Sequence, residues 1–310
     1  MSEIVTLGEL LIDMVSTQKD VTLFDAPAFE PKAGGAPANV AVGVRRLGRS
    51  AAFIGKVGSD DFGRGLRRTL AQEGVDTRNL LDDPQTLTTL AFVSHSASGD
   101  PAFAFFEGAH VRLSPADLDV KLIQNARIFH FGSVSLVHDP ARSATLEALR
   151  MARAAGVICS FDLNWRPALW GTSSISAAAE PLSEVDIIKM NELELSLVTG
   201  ETDPRMALNK LHVPARLVLI TLGAKGCIYR YGGQVYEANV PPVSQVVDAT
   251  GAGDAFTAAT LAGLPANLDH LNEAFLGRLM RRACQAGAIT TTRRGAIPSL
   301  PRLEELESLD

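Results

Sequence analysis

The sequence lacks the features that would place it in several large classes of protein. It has only three cysteines, Cys159, Cys227 and Cys284, odd in number and far apart along the chain. They make neither a disulfide framework nor a zinc site; Cys159 and Cys227 lie in apolar runs and read as buried thiols. The six histidines show no metal-ligand spacing. No basic stretch opens the chain, and its first apolar run is broken by Glu9 and Asp13, so no signal peptide is expected. No uncharged run approaches the length of a membrane span. A cytoplasmic protein without a membrane partner is the expectation. Positive charge is not in excess either: 29 Lys and Arg against 35 Asp and Glu leave a net charge of −6. That balance argues against general nucleic-acid binding, which needs a concentrated basic face. The pairs Arg67-Arg68, Arg281-Arg282 and Arg293-Arg294 read as solvated helix or loop ends.

Several catalytic signatures are missing as well. No glycine-rich stretch is followed by Gly-Lys-Ser/Thr, which excludes a Walker A loop. The first strand is followed by Gly8-Glu-Leu-Leu rather than Gly-x-Gly-x-x-Gly, which removes the support for a dinucleotide-dependent oxidoreductase. No Gly-x-Ser-x-Gly elbow supports a hydrolase triad. Internal repeats and low-complexity segments are absent too.

What remains is a chain of 310 residues, 46% hydrophobic and 21% charged, long enough for one large α/β domain. Short apolar runs alternate with helical patterns. Strands are expected at Ile4–Leu7, Ala51–Val57, Ile128–Phe131, Val157–Phe161, Val185–Met190 and Leu217–Leu222. Helices are expected over 37–48, 60–74, 140–155, 192–199, 203–211, 270–288 and 302–309. A hairpin pairs Cys227–Tyr231 with Val235–Ala238 across Gly232-Gly233. Such alternation predicts a mainly parallel sheet covered on both faces. Two segments interrupt it. Residues 16–33 are polar, broken by Pro27 and Pro31, with a weak strand signal at Val21–Phe24. Thr86–Ser94 and Ala102–Phe106 read as strands on either side of a turn at Ser98-Gly99-Asp100. Together, as segments of about 14–33 and 86–107 inserted in a single 1–310 domain, they are expected to form a small β-strand lid.

The chemistry concentrates where strands end and glycines cluster. Asp248-Ala-Thr-Gly-Ala-Gly-Asp254 runs into an apolar helix. The first N–H groups of a helix lack intrahelical partners and face the positive end of its dipole, so bare backbone at Gly251, Ala252 and Gly253 suits an anion. Asp254 would repel a merely bound phosphate; it suits an acceptor hydroxyl that must lose its proton. A plain helix start with an acid in its first turn explains the same residues. Gly34-Gly35 precedes a second helix whose first turn holds Asn39, either a cap or a ligand contact. Asp13 reads as a carboxylate at the carboxyl end of a strand, where open α/β sheets place ligand contacts.

Asp162, Asn164 and Arg166 alternate after a buried-looking strand. Alternation points them to one side, with Arg166 as a clamp for phosphate or substrate, or as an ion-pair partner of Asp162. Asn191 and Glu194 have the spacing of a capping box, and Glu194 is equally suited to a hydrated Mg²⁺. Thr221, Gly223 and Gly226 form a turn able to admit a flat or phosphorylated ligand. His130, inside an apolar strand, reads as a core histidine.

Gly34-Gly-Ala-Pro-Ala-Asn-Val-Ala-Val-Gly-Val-Arg-Arg-Leu-Gly48 and Asp248-Ala-Thr-Gly-Ala-Gly-Asp-Ala-Phe256 together resemble the two signature motifs of the ribokinase-like (PfkB) carbohydrate kinases. The resemblance extends through Gly55–Gly63, Asn191 with Glu194, Thr221–Gly226 and Thr292–Pro298. It implies a three-layer α/β/α core of nine-stranded type with a β lid often used for dimerisation, ATP and Mg²⁺ as cofactors, and a sugar hydroxyl as acceptor. By motif, Asp254 is the base and the Gly251, Ala252 and Gly253 amides form the anion hole. Asp13, Gly34, Gly35 and Asn39 fall on sugar-contacting positions, with Phe105 on the lid and Arg166 as further substrate contacts. Asn191 and Glu194 fall on the phosphate–Mg²⁺ side, and Thr221, Gly223 and Gly226 on the nucleotide side with Gly251 and Gly253. Asp248 and Thr250 match a monovalent-cation position, usually K⁺.

Within the family, Gly8-Glu-Leu-Leu-Ile-Asp13, His130-Phe-Gly-Ser133 and Phe161-Asp-Leu-Asn-Trp-Arg-Pro167 look most like fructokinases. The 2-keto-3-deoxygluconate kinases share much of this but carry a lid arginine where this chain has Glu107, which disfavours an acidic sugar. Many fructokinases also keep an arginine near that point, so its absence leaves the exact sugar open. The expected reaction is phosphorylation of a neutral ketohexose, foremost fructose. The alternatives are another acceptor, such as a nucleoside or sugar phosphate, or a non-catalytic sugar sensor. Two intervals, Trp170–Asp186 and Leu264–Ala283, look short for the family.

Overall fold

The computed structural model describes residues 2–94, 102–171, 174–269 and 271–307. The turn expected at Ser98-Gly99-Asp100 lies outside them. Among the described residues thirteen strands run in chain order as β1 (Ile4–Leu7), β2 (Leu11–Ser16), β3 (Phe29–Gly34), β4 (Ala51–Gly58), β5 (Leu80–Asp83), β6 (Leu90–Ser94) and β7 (Ala102–Phe106). They continue as β8 (Ile128–Gly132), β9 (Ile158–Asp162), β10 (Ile187–Asn191), β11 (Leu217–Thr221), β12 (Cys227–Tyr231) and β13 (Gln234–Ala238).

Nine of them form one sheet in the order β13-β12-β11-β10-β9-β8-β1-β4-β5, parallel from β5 to β11 and antiparallel at the β11–β12 and β12–β13 pairs. Its central strands are apolar on both sides, because helices cover both faces. Ile4, Phe53, Ile128 and Leu219 point into a core shared with Phe256 and Leu261. Val5, Ile54, Phe129 and Phe161 point the other way, onto Ala148 and Leu149 of the helix Ala141–Ala154. The first face carries the helices Ala36–Arg46, Ala252–Gly263 and Glu273–Thr290. The result is the ribokinase-like three-layer α/β/α core. Cys227 and Cys284, distant in sequence, meet in it with their sulfurs 3.6 Å apart.

The other four strands form a smaller sheet in the order β3-β2-β6-β7, begun by β2 only three residues after β1 ends. Three expectations need correction here. The weak signal at Val21–Phe24 is not a strand; the strand is β3, and Pro31 is tolerated there because β3 is an edge. The strand expected from Thr86 begins at Leu90. The Thr88 N–H and hydroxyl are held at 2.7 and 2.8 Å by Asp60, which also caps the helix Asp61–Gln72. Asp13 does not end a core strand but lies within β2, paired with Lys32 on one side and Ala91 on the other. Ala91 pairs in turn with Phe105, so Lys32, Asp13, Ala91 and Phe105 form one row on one face of this sheet. Phe29, Phe92 and Phe106 contact one another on the opposite face, with centroids 5.0 and 5.5 Å apart.

Candidate active site

The two glycine turns face each other at the carboxyl edge of the large sheet. Gly251 takes the left-handed conformation, φ 82°, and a Cβ there would lie 3.0 Å from Ala296. The turn therefore feeds the helix Ala252–Gly263 only with glycine at this position. Asp254 sits in the first helical turn. Its Oδ2 accepts a hydrogen bond from Nδ2 of Asn39 at 2.7 Å. Burial pushes the Asp254 carboxyl up to about 6, an effect opposed by the Asn39 bond and by Lys189 and Arg166, and reinforced by Asp162. Of the three expected anion-hole amides, that of Ala252 is turned back onto the Ala249 carbonyl at 3.2 Å.

Asp248 anchors the turn from behind. Its Oδ1 accepts the Thr250 N–H and its Oδ2 the Gly295 N–H, both at 2.9 Å, so one carboxylate ties the 250 and 295 turns together. Opposite them, Gly34 leaves room for Asp13: a Cβ on Gly34 would stand 2.1 Å from Oδ2 of that side chain. Burial raises the Asp13 carboxyl to about 7, with Arg166 opposing and the charges of Asp254 and Asp248 adding to the rise. Arg166 is thus the cation common to Glu9, Asp13 and Asp254.

Arg166 is not the partner of Asp162. Asn164 has φ 38°, so the chain leaves the extended conformation and the expected alternation of Asp162, Asn164 and Arg166 is lost. Asp162 instead pairs with Lys189 of the neighbouring strand, at 3.0 Å, with both side chains buried. Burial lowers the Lys189 ammonium, but Asp162, Glu194 and Asp254 outweigh it and hold the group above its ordinary value. A Cβ on Gly253 would lie 3.1 Å from Nζ of Lys189, so this buried cation sits directly beneath the glycine turn.

Asn191 and Glu194 do form the capping box. Asn191 Oδ1 accepts from the Glu194 N–H, and Glu194 Oε2 accepts from the Asn191 N–H, both at 2.8 Å. The other oxygen, Oε1, accepts the Trp165 N–H at 2.8 Å, so Glu194 also locks the segment leading to Arg166. Burial raises its carboxyl, against the pull of Lys189 and the two amides. Thr221 ends β11, followed by Gly223 and Gly226, both with positive φ. Glu107 pairs with Nε2 of His138 at 3.1 Å. His130 is a core histidine bonded to Ser160, and burial lowers it to about 4.

A family model described as pfkB family carbohydrate kinase matches residues 1–303. The chain belongs to the pfkB family of carbohydrate kinases. It is similar to a probable fructokinase-4 of Arabidopsis thaliana, 42% identical over 99% of this chain and 96% of that one. Among solved structures, a fructokinase from Xylella fastidiosa with bound ATP superposes with a TM-score of 0.88 at 32% identity, over 100% and 98% of the two chains. A fructokinase from Vibrio cholerae O395 with fructose, ADP and calcium ion bound matches with a TM-score of 0.86 at 30% identity, over 99% and 98%.

In this pfkB-family chain two charged residues of the site escape a reading of motifs. Glu9 and Lys189 carry charge inside otherwise apolar runs, which is the only local signal they give. A cleft of about 1280 Å³ runs along the helices Ala252–Gly263 and Glu273–Thr290, lined by Val240, Leu279, Arg282, Gln285 and Ile289 among others. None of the expected site residues lines it. The expected site residues gather at the strand ends and glycine turns, outside that cleft.

Proposed function

We propose that the chain is an ATP-dependent fructokinase, moving the γ-phosphoryl group of ATP to O6 of fructose. The observation that most supports this reading is Asp254, held by Asn39 at the start of a helix whose glycine turn presents backbone to an anion. Asp254 takes the proton of the acceptor hydroxyl as its oxygen bonds to the γ-phosphorus, and ADP leaves with the electrons of the broken P–O bond. Catalysis of this kind is mainly positioning and charge stabilisation. The backbone around Gly251 and Gly253 would receive the transferring group, with Lys189 beneath it. Thr221, Gly223 and Gly226 would border the nucleotide.

Asp13, Gly34, Gly35, Asn39, Phe105 and Arg166 would contact the sugar. A neutral acceptor fits a pocket in which Glu9, Asp13 and Asp254 share Arg166. Mg²⁺ would neutralise charge on the phosphates when bound with ATP. Glu194, whose two oxygens already accept backbone amides, fits it through water rather than by direct ligation. K⁺ would sit beside Asp248 and Thr250. The small sheet acts as a lid that excludes water from the transfer.

The outer face of that sheet carries the Phe29, Phe92 and Phe106 cluster, with Phe106 62% exposed, and a homodimer through this face would cover it. Among the described residues no helix is long and apolar enough to cross a membrane. The three free cysteines suit the reducing cytoplasm.

A screen of acceptors with ATP, with and without K⁺, tests the assignment. Fructose is expected to be the preferred substrate. Preference for 2-keto-3-deoxygluconate or another acidic sugar would overturn it, as would fructose binding without ATP consumption.

A further inference from the structure

Two buried oxygens in the site have no hydrogen-bond partner among the described residues: Oε2 of Glu9 and Oδ1 of Asn39. Each side chain is 4% exposed, so water does not compensate them freely. The two residues converge on one turn of helix. Glu9 Oε1 accepts the N–H of Ala36 at 2.9 Å, at the start of the helix Ala36–Arg46. Asn39 stands three residues further on, on the same face. Its NH₂ is committed to Asp254, which leaves its oxygen turned away from the base.

As a carboxylate, Glu9 could only accept, and two acceptors cannot satisfy each other. A single proton on Glu9 changes this, because a neutral carboxyl carries an O–H donor. The surroundings favour that proton. Burial raises the Glu9 carboxyl to about 7 and the charge of Asp254 adds to the rise, against the Glu9 and Ala36 amides and Arg166. Asp254, raised to about 6, has the Asn39 bond and the Lys189 and Arg166 charges favouring its ionised form.

We propose that Glu9 is a positioning residue for the base: in its neutral form Oε2–H donates to Oδ1 of Asn39, directly or through one water, and holds the amide with its NH₂ on Asp254. An amide turned over would set its oxygen against the carboxylate and lose the 2.7 Å bond. The proposal rests on Asp254 being the base, and its test separates the two.

The test follows the Asn39 side-chain amide by NMR, assigned through its loss in Asn39→Ser, as pH is raised. In the full-length wild type the signal should move in two steps, near 6 and near 7, and the upper step should persist in Asp13→Asn, which removes the other carboxyl that burial raises to about 7. Glu9→Gln should remove the upper step and Asp254→Asn the lower. Kinetics supply a second arm. Glu9→Met, which has no donor, should lower kcat about 10- to 100-fold with KM for ATP within about 2-fold, the scale of a misplaced catalytic group. Glu9→Gln, which keeps a donor and an acceptor, should recover most of that loss. An Asn39 signal indifferent to Glu9→Gln, or wild-type kcat in Glu9→Met, overturns the proposal. Should Glu9→Met fail to fold, the amide titration alone decides. Full turnover in Asp254→Asn would instead sink the assignment of the base and leave the Glu9–Asn39 link readable in the upper step.

Discussion

Asn39 donates to Asp254 across 215 residues of sequence, at 2.7 Å, and so joins the first turns of two helices that start from separate glycine turns. An amide bonded to a carboxylate favours its charged form, and here it works against burial.

That opposition fixes a pH dependence. With the Asp254 carboxyl at about 6, the ionised base is present above that value and lost as pH falls through it. kcat/KM for fructose should therefore drop about tenfold per unit on the acid side. Removing the Asn39 bond by Asn39→Leu leaves only Lys189 and Arg166 to oppose burial there, and the acid limb should move to higher pH. A limb that stays in place or moves down would contradict this electrostatic account.

Asp254→Asn keeps the volume of the side chain and loses the proton acceptor. The expected fall in kcat is about 10²–10⁴-fold, while calorimetry should find fructose binding within a few-fold of wild type.

Gly34→Ala places a methyl group where Oδ2 of Asp13 now lies, 2.1 Å from the new carbon. Asp13 must rotate away. The apparent KM for the sugar should rise about tenfold or more with KM for ATP unchanged; equal effects on both substrates would remove Asp13 from the acceptor side.

Lys189→Met leaves Asp162, 2% exposed, without its partner. Breaking a buried pair from one side costs about 3–5 kcal/mol. Urea unfolding should show a loss of that order, and adding Asp162→Asn should restore part of it. Simple additivity of the two substitutions would mean that the pair is not coupled.

The parallel core is legible in the sequence because strands such as Ile4–Leu7 are covered on both faces and must be apolar throughout. The glycine turns are legible because φ near 82° at Gly251 and the fit of Asp13 against Gly34 leave few alternatives to glycine. Edge strand β3 is not, since Glu30 and Pro31 are exposed, Lys32 is half-buried, and the three together carry no strand pattern. Nor is the partner of Asp162 legible: Arg166 is four residues away along the chain, but Lys189 arrives on the adjacent strand. Local spacing favours the wrong cation because register between strands decides the matter. The Cys227–Cys284 approach escapes as well, because it depends on how the helix Glu273–Thr290 packs on the sheet.

Only Gly8, Glu9 and Leu10 separate β1 from β2, and Glu9 and Leu10 are buried. So short a link would serve the proposed lid as a fulcrum. At about 3.3 Å per residue, Asp13 lies roughly 7–10 Å along the lever and Ser16 roughly 17–20 Å. A tilt of about 10° would swing the rim at Ser16 through roughly 3 Å and Asp13 through about half of that. In the proposed kinase the entrance would open for a sugar while Asp13 moves only about half as far as the rim.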